Sequence, residues 1–169
     1  MTKKEVGEKS FRACDNFLAS DIYKNSKTLM LYMPLGNETD TTKVINQAYK
    51  DGKKVVFPVT DKESGVITPC YAEETADFVT GAFNVNEPQN GTKAELCDID
   101  VVLVPGIAFD CKGARVGFGK GCYDRLLTET DAVKVGFCYD FQVCDNIPAE
   151  EHDIMMDFVV TESGVWRTE

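Results

Sequence analysis

Apolar positions along this chain fall into two alternating rhythms, one at helical spacing and one of short, nearly continuous runs. Phe11, Cys14 and Phe17-Leu18 recur at the spacing of one helix face, which predicts an amphipathic helix over about residues 5–19. The apolar run at 27–33 reads as a strand stopped by Pro34-Leu-Gly36. Val44, Ile45 and Ala48 share a face of a second predicted helix over 41–51, with Gly52 just past its end. Residues 54–57 read as a strand closed by Pro58, 66–72 as a further strand, and 73–100 as an irregular stretch. Val101–Val104 is the plainest strand of all, and a helix over about 121–130 follows a glycine-rich loop. Residues 133–138 and Phe158–Thr161 complete the set.

Strands that alternate with helices predict an α/β fold: a three-layer Rossmann-like sandwich, with a mostly parallel sheet and helices on both faces. No repeat, low-complexity linker or composition break divides the chain, so residues 1–169 are expected to form a single domain. In such folds ligands gather beyond the carboxyl ends of the strands. Residues 34–38 and 105–110 directly follow strands and should share a rim with the glycine loop. His152-Asp153 precedes the last strand, so only folding can bring it there.

Charge sharpens that picture. The chain carries a formal charge of −10, which argues against nucleic acid or an anionic membrane surface as the main partner. It has neither an apolar run of membrane-spanning length nor a signal-peptide core at its start. Seven cysteines without a Cys-x-x-Cys pair fit reduced thiols in a cytoplasmic protein better than a disulfide framework or a zinc site. Against the acidic background, residues 110–125 hold Lys112, Arg115, Lys120 and Arg125 against Asp110 and Asp124, a net +2. The same stretch holds Gly113, Gly117, Gly119 and Gly121 just before a helical pattern. Glycine lets backbone N–H groups approach an anion, and a helix start adds its positive dipole end, so a polyanionic small molecule is the expected ligand.

Two well-known phosphate motifs do not match. A Walker A loop requires Gly where Ala114 stands and Ser or Thr where Gly121 stands; the dinucleotide fingerprint requires a final Gly where Cys122 stands. On the residues alone, Asp110 serves equally as a turn acid or a site residue. Asp124 suits a cap or salt bridge as well as a metal. Arg125 reads as a solvated charge, and Met33 and Phe83 as core residues. Glu38 fits a turn, and Asp153 and Asp157 pass as loop acids.

The wider constellation is more specific. Val104-Pro-Gly-Ile-Ala-Phe-Asp110, followed by Gly113-x-Arg115-x-Gly117-x-Gly119-Lys-Gly121-x-Tyr-Asp124, resembles the signature of the 5-formyltetrahydrofolate cyclo-ligase family, also called 5,10-methenyltetrahydrofolate synthetases. Pro34-Leu-Gly-Asn-Glu-Thr-Asp40, Asn86-Glu-Pro88 and Glu151-His-Asp-Ile-Met-Met-Asp157 extend the resemblance in the same order, from about residue 2 to 162.

That resemblance implies an ATP- and magnesium-dependent enzyme converting 5-formyltetrahydrofolate to 5,10-methenyltetrahydrofolate through a phosphorylated imidate. It implies an ATP cradle of Arg115, Gly117, Phe118, Gly119, Lys120, Gly121, Cys122, Tyr123 and Asp124, with Lys120 and Arg115 assisting transfer. Substrate contacts fall on Met33, Glu38, Phe83, Phe118, Gly119, Lys120, Gly121 and Cys122, and magnesium on Asp124 and Asp153. A cytoplasmic monomer that binds neither nucleic acid nor membrane is expected. Two departures stand out. Cys122 replaces the family's aromatic before Tyr-Asp, and the family's basic N-terminal helix, with its ATP-contacting Lys and Arg, precedes the position of Thr2. The second departure favours an alternative: a catalytically weak or inactive folate-binding relative. A third reading is another small-molecule kinase or nucleotide-binding enzyme on the same scaffold.

Overall fold

Strand pairing begins with the apolar runs. The computed structural model describes residues 1–150 and 153–169; Glu151 and His152 lie outside the described residues. Its elements are α1 (Lys3–Ala19), α2 (Asp21–Asn25), β1 (Thr28–Met30), α3 (Thr42–Lys50), β2 (Lys54–Thr60), β3 (Ile67–Tyr71), β4 (Phe78–Thr80), β5 (Asn86–Pro88), β6 (Thr92–Lys93) and β7 (Val101–Val104). There follow β8 (Ala108–Asp110), β9 (Arg115–Val116), α4 (Cys122–Thr128), β10 (Val133–Phe137), β11 (Val143–Cys144), β12 (Phe158–Thr161) and β13 (Gly164–Arg167).

The main sheet has eight strands in the order β13-β12-β10-β7-β1-β2-β3-β6. Its five central strands are parallel, and antiparallel strands close both edges. Alternate residues feed two cores, as the two-residue period of a strand requires. Leu29, Val55, Phe57, Leu103 and Phe137 pack with Phe17 of α1, Tyr23 of α2 and Val44 of α3. Met30, Val56, Val102, Val104 and Val159 pack with Phe109 and with Leu126 and Leu127 of α4. Phe17 sits edge-on to both Tyr23 and Phe137, at centroid distances of 5.7 and 6.2 Å. Its full burial contributes roughly 1.5–3 kcal/mol. The N-terminus of α1 is closed by a capping box in which Thr2 accepts from the Glu5 amide while the Glu5 carboxylate accepts from the Thr2 amide.

Several expectations need correction. β2 does not stop at Pro58 but runs on to Thr60. By then β1 has ended, and Pro58 faces Pro69 across an antiparallel pair in which neither missing N–H is needed. The strand expected over 27–33 is confined to Thr28–Met30. The stretch 73–100 contains three short strands, including the Asn86-Glu-Pro88 motif as β5 paired with β4. α2, the edge strand β13 and the small β11-β8-β9 sheet carry no clear period, being five residues or shorter.

β1 is the first central strand in the chain. From it the order runs to β2 on one side and to β7, β10 and β12 on the other. The reversal between β1 and β7 makes their carboxyl ends the topological switch point, where a crevice opens in doubly wound sheets.

Candidate active site

Two loops leave that switch point. The one after β7 is built on Asp110, which is fully buried. Its Oδ1 accepts from the Lys112 and Ala114 amides at 3.0 and 2.9 Å, and its Oδ2 from the Ile147 amide at 2.8 Å. Asp110 therefore folds the loop back as β8 and β9 and ties it to the chain beyond β11; its carboxylate is committed to backbone.

Arg115 follows on β9 with its side chain only 5% exposed. Its Nη1 donates to Pro105 O at 3.2 Å and its Nη2 to Asp124 Oδ1 at 2.8 Å, while Nε is buried without a protein partner. Gly117 lies against the guanidinium: a Cβ there would stand 2.7 Å from Nη1. The structure thus places Arg115 under the loop rather than at its mouth, and the charge of Arg115 fixes Asp124 at the first turn of α4. Phe118 is 68% exposed, and Gly119 and Lys120 are exposed beside it.

Gly119 and Gly121 adopt φ of 82° and 61°, a region that L side chains rarely enter, yet a Cβ on either would touch nothing within 4 Å. Close packing does not account for these two glycines. They hold a turn whose outer side is open, with the backbone uncovered around Lys120. The Lys120 Nζ lies 3.6 Å from the centroid of the Phe83 ring. Phe83 and Asn84 both have positive φ, 56° and 63°, without being glycine. Such backbone costs about 1–3 kcal/mol per residue and persists where its surroundings enforce it. Glu87, the centre of the Asn86-Glu-Pro88 motif, is one brace: its Oε1 accepts from the Thr60 amide at 2.8 Å, and its carboxyl group packs on Gly81, where the strained turn begins.

The loop after β1 carries Glu38. It is half-buried, and its Oε2 accepts from the Leu35 amide at 2.8 Å. Burial pushes its carboxyl above the usual glutamate range, against the lowering effect of that one hydrogen bond. Its charge is felt by the phenols of Tyr32 and Tyr123, both raised chiefly by burial and then by Glu38. Folding has thus brought the Glu38 loop to the start of α4. Met33 is half-buried against the core beneath α1 and α3.

Cys122 opens α4, half-buried beside Gly65 in the turn between β2 and β3. Arg125, expected to be a solvated charge, is exposed but donates to the Ser64 and Gly65 carbonyls at 3.1 and 3.0 Å, clamping α4 to that turn. Asp153 is exposed, and its Oδ2 accepts from the Glu150 amide at 2.8 Å. Among the described residues no three His, Cys, Asp or Glu side chains gather as a ready metal cage. Asp124 has one oxygen on Arg115 and a side chain 46% exposed. This donor chemistry suits a hard cation completed by phosphate oxygens and water, not one held by protein alone.

Sequence reasoning passed over Tyr139 and Ser10, which hold the Glu38 loop from behind. Tyr139 directly follows the expected strand at 133–138, so the rule on strand carboxyl ends was the available signal; Ser10 carried none.

The model of the 5-formyltetrahydrofolate cyclo-ligase family matches residues 1–162. The chain is 30% identical to 5-formyltetrahydrofolate cyclo-ligase of Escherichia coli K12 over 99% of its own length and 95% of the relative's. It is 27% identical to the mouse enzyme of the same name, over 97% and 87% respectively. Among solved structures it is similar to the 5,10-methenyltetrahydrofolate synthetase of Aquifex aeolicus, with a TM-score of 0.86 and 36% identity over 99% of this chain and 84% of that one.

Proposed function

This chain belongs to the 5-formyltetrahydrofolate cyclo-ligase family, and on that premise we propose that it closes 5-formyltetrahydrofolate to 5,10-methenyltetrahydrofolate at the cost of one ATP. The observation that carries the reading is the open turn around Lys120, whose side chain meets Phe83 and whose loop leads on to Tyr123, a phenol that feels the charge of Glu38.

The chemistry follows from what this site offers. A formyl oxygen is a poor leaving group and phosphate a good one. Its attack on the γ-phosphate gives a phosphorylated imidate and ADP; the neighbouring amine nitrogen then attacks the activated carbon, and phosphate departs. The protein need supply no nucleophile. It must align the formyl group with the phosphate and neutralise charge as it develops. The amides around Gly117, Gly119 and Gly121 receive the triphosphate, and Lys120 leaves Phe83 to meet the transferred phosphoryl group. Arg115 adds fixed positive charge below the loop and holds Asp124 in place. Phe118, Cys122 and Tyr123 flank the nucleotide. Glu38 accepts hydrogen bonds from the pterin edge, with Phe83 and Met33 against its apolar surface. Asp124 and Asp153 would hold magnesium with phosphate oxygens and water, a cation that supplies further charge neutralisation. We place this activity in a cytoplasmic monomer without nucleic-acid or membrane partners; among the described residues no helix is long and apolar enough to cross a membrane.

The test is spectrophotometric: formation of 5,10-methenyltetrahydrofolate from 5-formyltetrahydrofolate and Mg-ATP. Product is expected from the wild-type chain, and Lys120→Ala should lower kcat by about 10²–10³ with an unchanged melting temperature. Folate binding without product would overturn the enzyme reading, and wild-type turnover in Lys120→Ala would remove the role given to that lysine.

A further inference from the structure

Behind the Glu38 loop, three elements meet in one directed chain of hydrogen bonds. Tyr139 lies just past β10 and is 1% exposed, its ring stacked on Phe141 at 5.7 Å and 16°. Its hydroxyl lies 3.1 Å from Glu38 O and 2.9 Å from Ser10 Oγ on α1. Ser10 Oγ in turn accepts from the Asp40 amide at 2.9 Å. Each hydroxyl has one hydrogen, so the order is determined: the Asp40 N–H donates to Ser10, Ser10 donates to Tyr139, and Tyr139 donates to the Glu38 carbonyl. The ring closes through the peptide units of residues 38–40. Both ends of this short segment are therefore gripped by side chains remote in sequence. Thr39 is held between them, its carbonyl accepting from the Tyr32 hydroxyl at 2.8 Å.

We propose that Tyr139, together with Ser10, is a positioning residue that sets the Glu38 carboxylate for folate, making folate affinity depend on how α1 is seated. The proposal rests on the reading of Glu38 as the folate-binding glutamate. Only one carboxylate oxygen of Glu38 meets a local amide, that of Leu35. The orientation of the other depends on the backbone that Tyr139 and Ser10 hold. Neither residue approaches the reacting atoms; their effect passes through Glu38.

Tyr139→Phe keeps the ring and its stack on Phe141 and removes only the hydroxyl. Calorimetric titration with 5-formyltetrahydrofolate should show about tenfold weaker binding, while a non-hydrolysable ATP analogue with magnesium binds within twofold of wild type. Turnover should show the same split, with KM for folate raised and kcat retained. Ser10→Ala should give the same pattern, and the double variant little more than either alone, since both break one chain. In a Glu38→Gln background, Tyr139→Phe should no longer change folate affinity. Equal weakening of nucleotide and folate, an undiminished effect in the Glu38→Gln background, or unchanged folate affinity in both Tyr139→Phe and Ser10→Ala would overturn the proposal. If Glu38→Gln itself binds folate as tightly as wild type, the assignment of Glu38 fails and the role of Tyr139 fails with it.

Discussion

Asp110, Asp124 and Glu38 are three carboxylates within reach of one rim, and their surroundings give them three different tasks. Asp110 gives both its oxygens to backbone amides. Asp124 is held by one guanidinium nitrogen with its side chain still half exposed. Glu38 is desolvated with a single local donor. A buried acid of this kind has its pKa raised on folding, so its contribution to stability is complete below the ordinary value of 4.5 and is lost as the pH rises through the raised value. Glu38→Gln, which never ionises, should therefore melt at a higher temperature than wild type at neutral pH, with the gap closing toward pH 4. Thermal melts across that range check the sign; a gap that widens on acidification would mean that the carboxylate is stabilised in the fold. The same substitution should weaken folate binding, so stability and function pull this residue in opposite directions.

At the scale of elements, the glycine loop depends on being both anchored and open. Asp110 and Arg115 fix its entry, and Arg125 fixes α4 at its exit by gripping the Ser64–Gly65 turn. Between them, Gly121 holds φ of 61° with free space around it. Gly121→Ala should cost about 1 kcal/mol of stability from backbone conformation alone. It should lower kcat/KM for ATP roughly tenfold or more, because the new methyl group enters the space proposed for phosphate. Urea unfolding and steady-state kinetics separate the two effects; a stability loss with unaltered ATP kinetics would remove the loop from the nucleotide site. The loop's composition and spacing were legible in the chain. Its anchors were only partly so: Asp110 and Arg125 were each visible, but the bonds that make them anchors reach an amide 37 residues away and a carbonyl 60 residues away. The strands β8, β9 and β11 were not legible because two- and three-residue strands show no period.

The whole molecule joins the two loops by placing β1 beside β7, so that the surfaces proposed for nucleotide and folate belong to one folded unit. Ligands that bind only that unit stabilise it by mass action. Saturation at about 100 times Kd contributes about 2.7 kcal/mol. For a chain of this size that corresponds to a melting shift of roughly 5–10 °C. A magnesium complex of a non-hydrolysable ATP analogue and 5-formyltetrahydrofolate should each raise one common transition, and together raise it further. Separate transitions, each answering to one ligand, would contradict a shared unit. α1 belongs to the same unit: Lys9 pairs with the buried Glu162, and Asn16 donates to Thr161 O at the end of β12.

By itself the chain determined the α/β class, the central parallel strands and the residues of the glycine loop, because each is written in local period, composition and spacing. Only the tertiary structure decided that Arg115 lies beneath the loop, that Lys120 meets Phe83, and that Tyr139 and Ser10 grip the segment bearing Glu38. Those relations join residues as much as 129 positions apart. A hydroxyl or guanidinium finds such a partner through the path of the folded backbone, which no local pattern encodes.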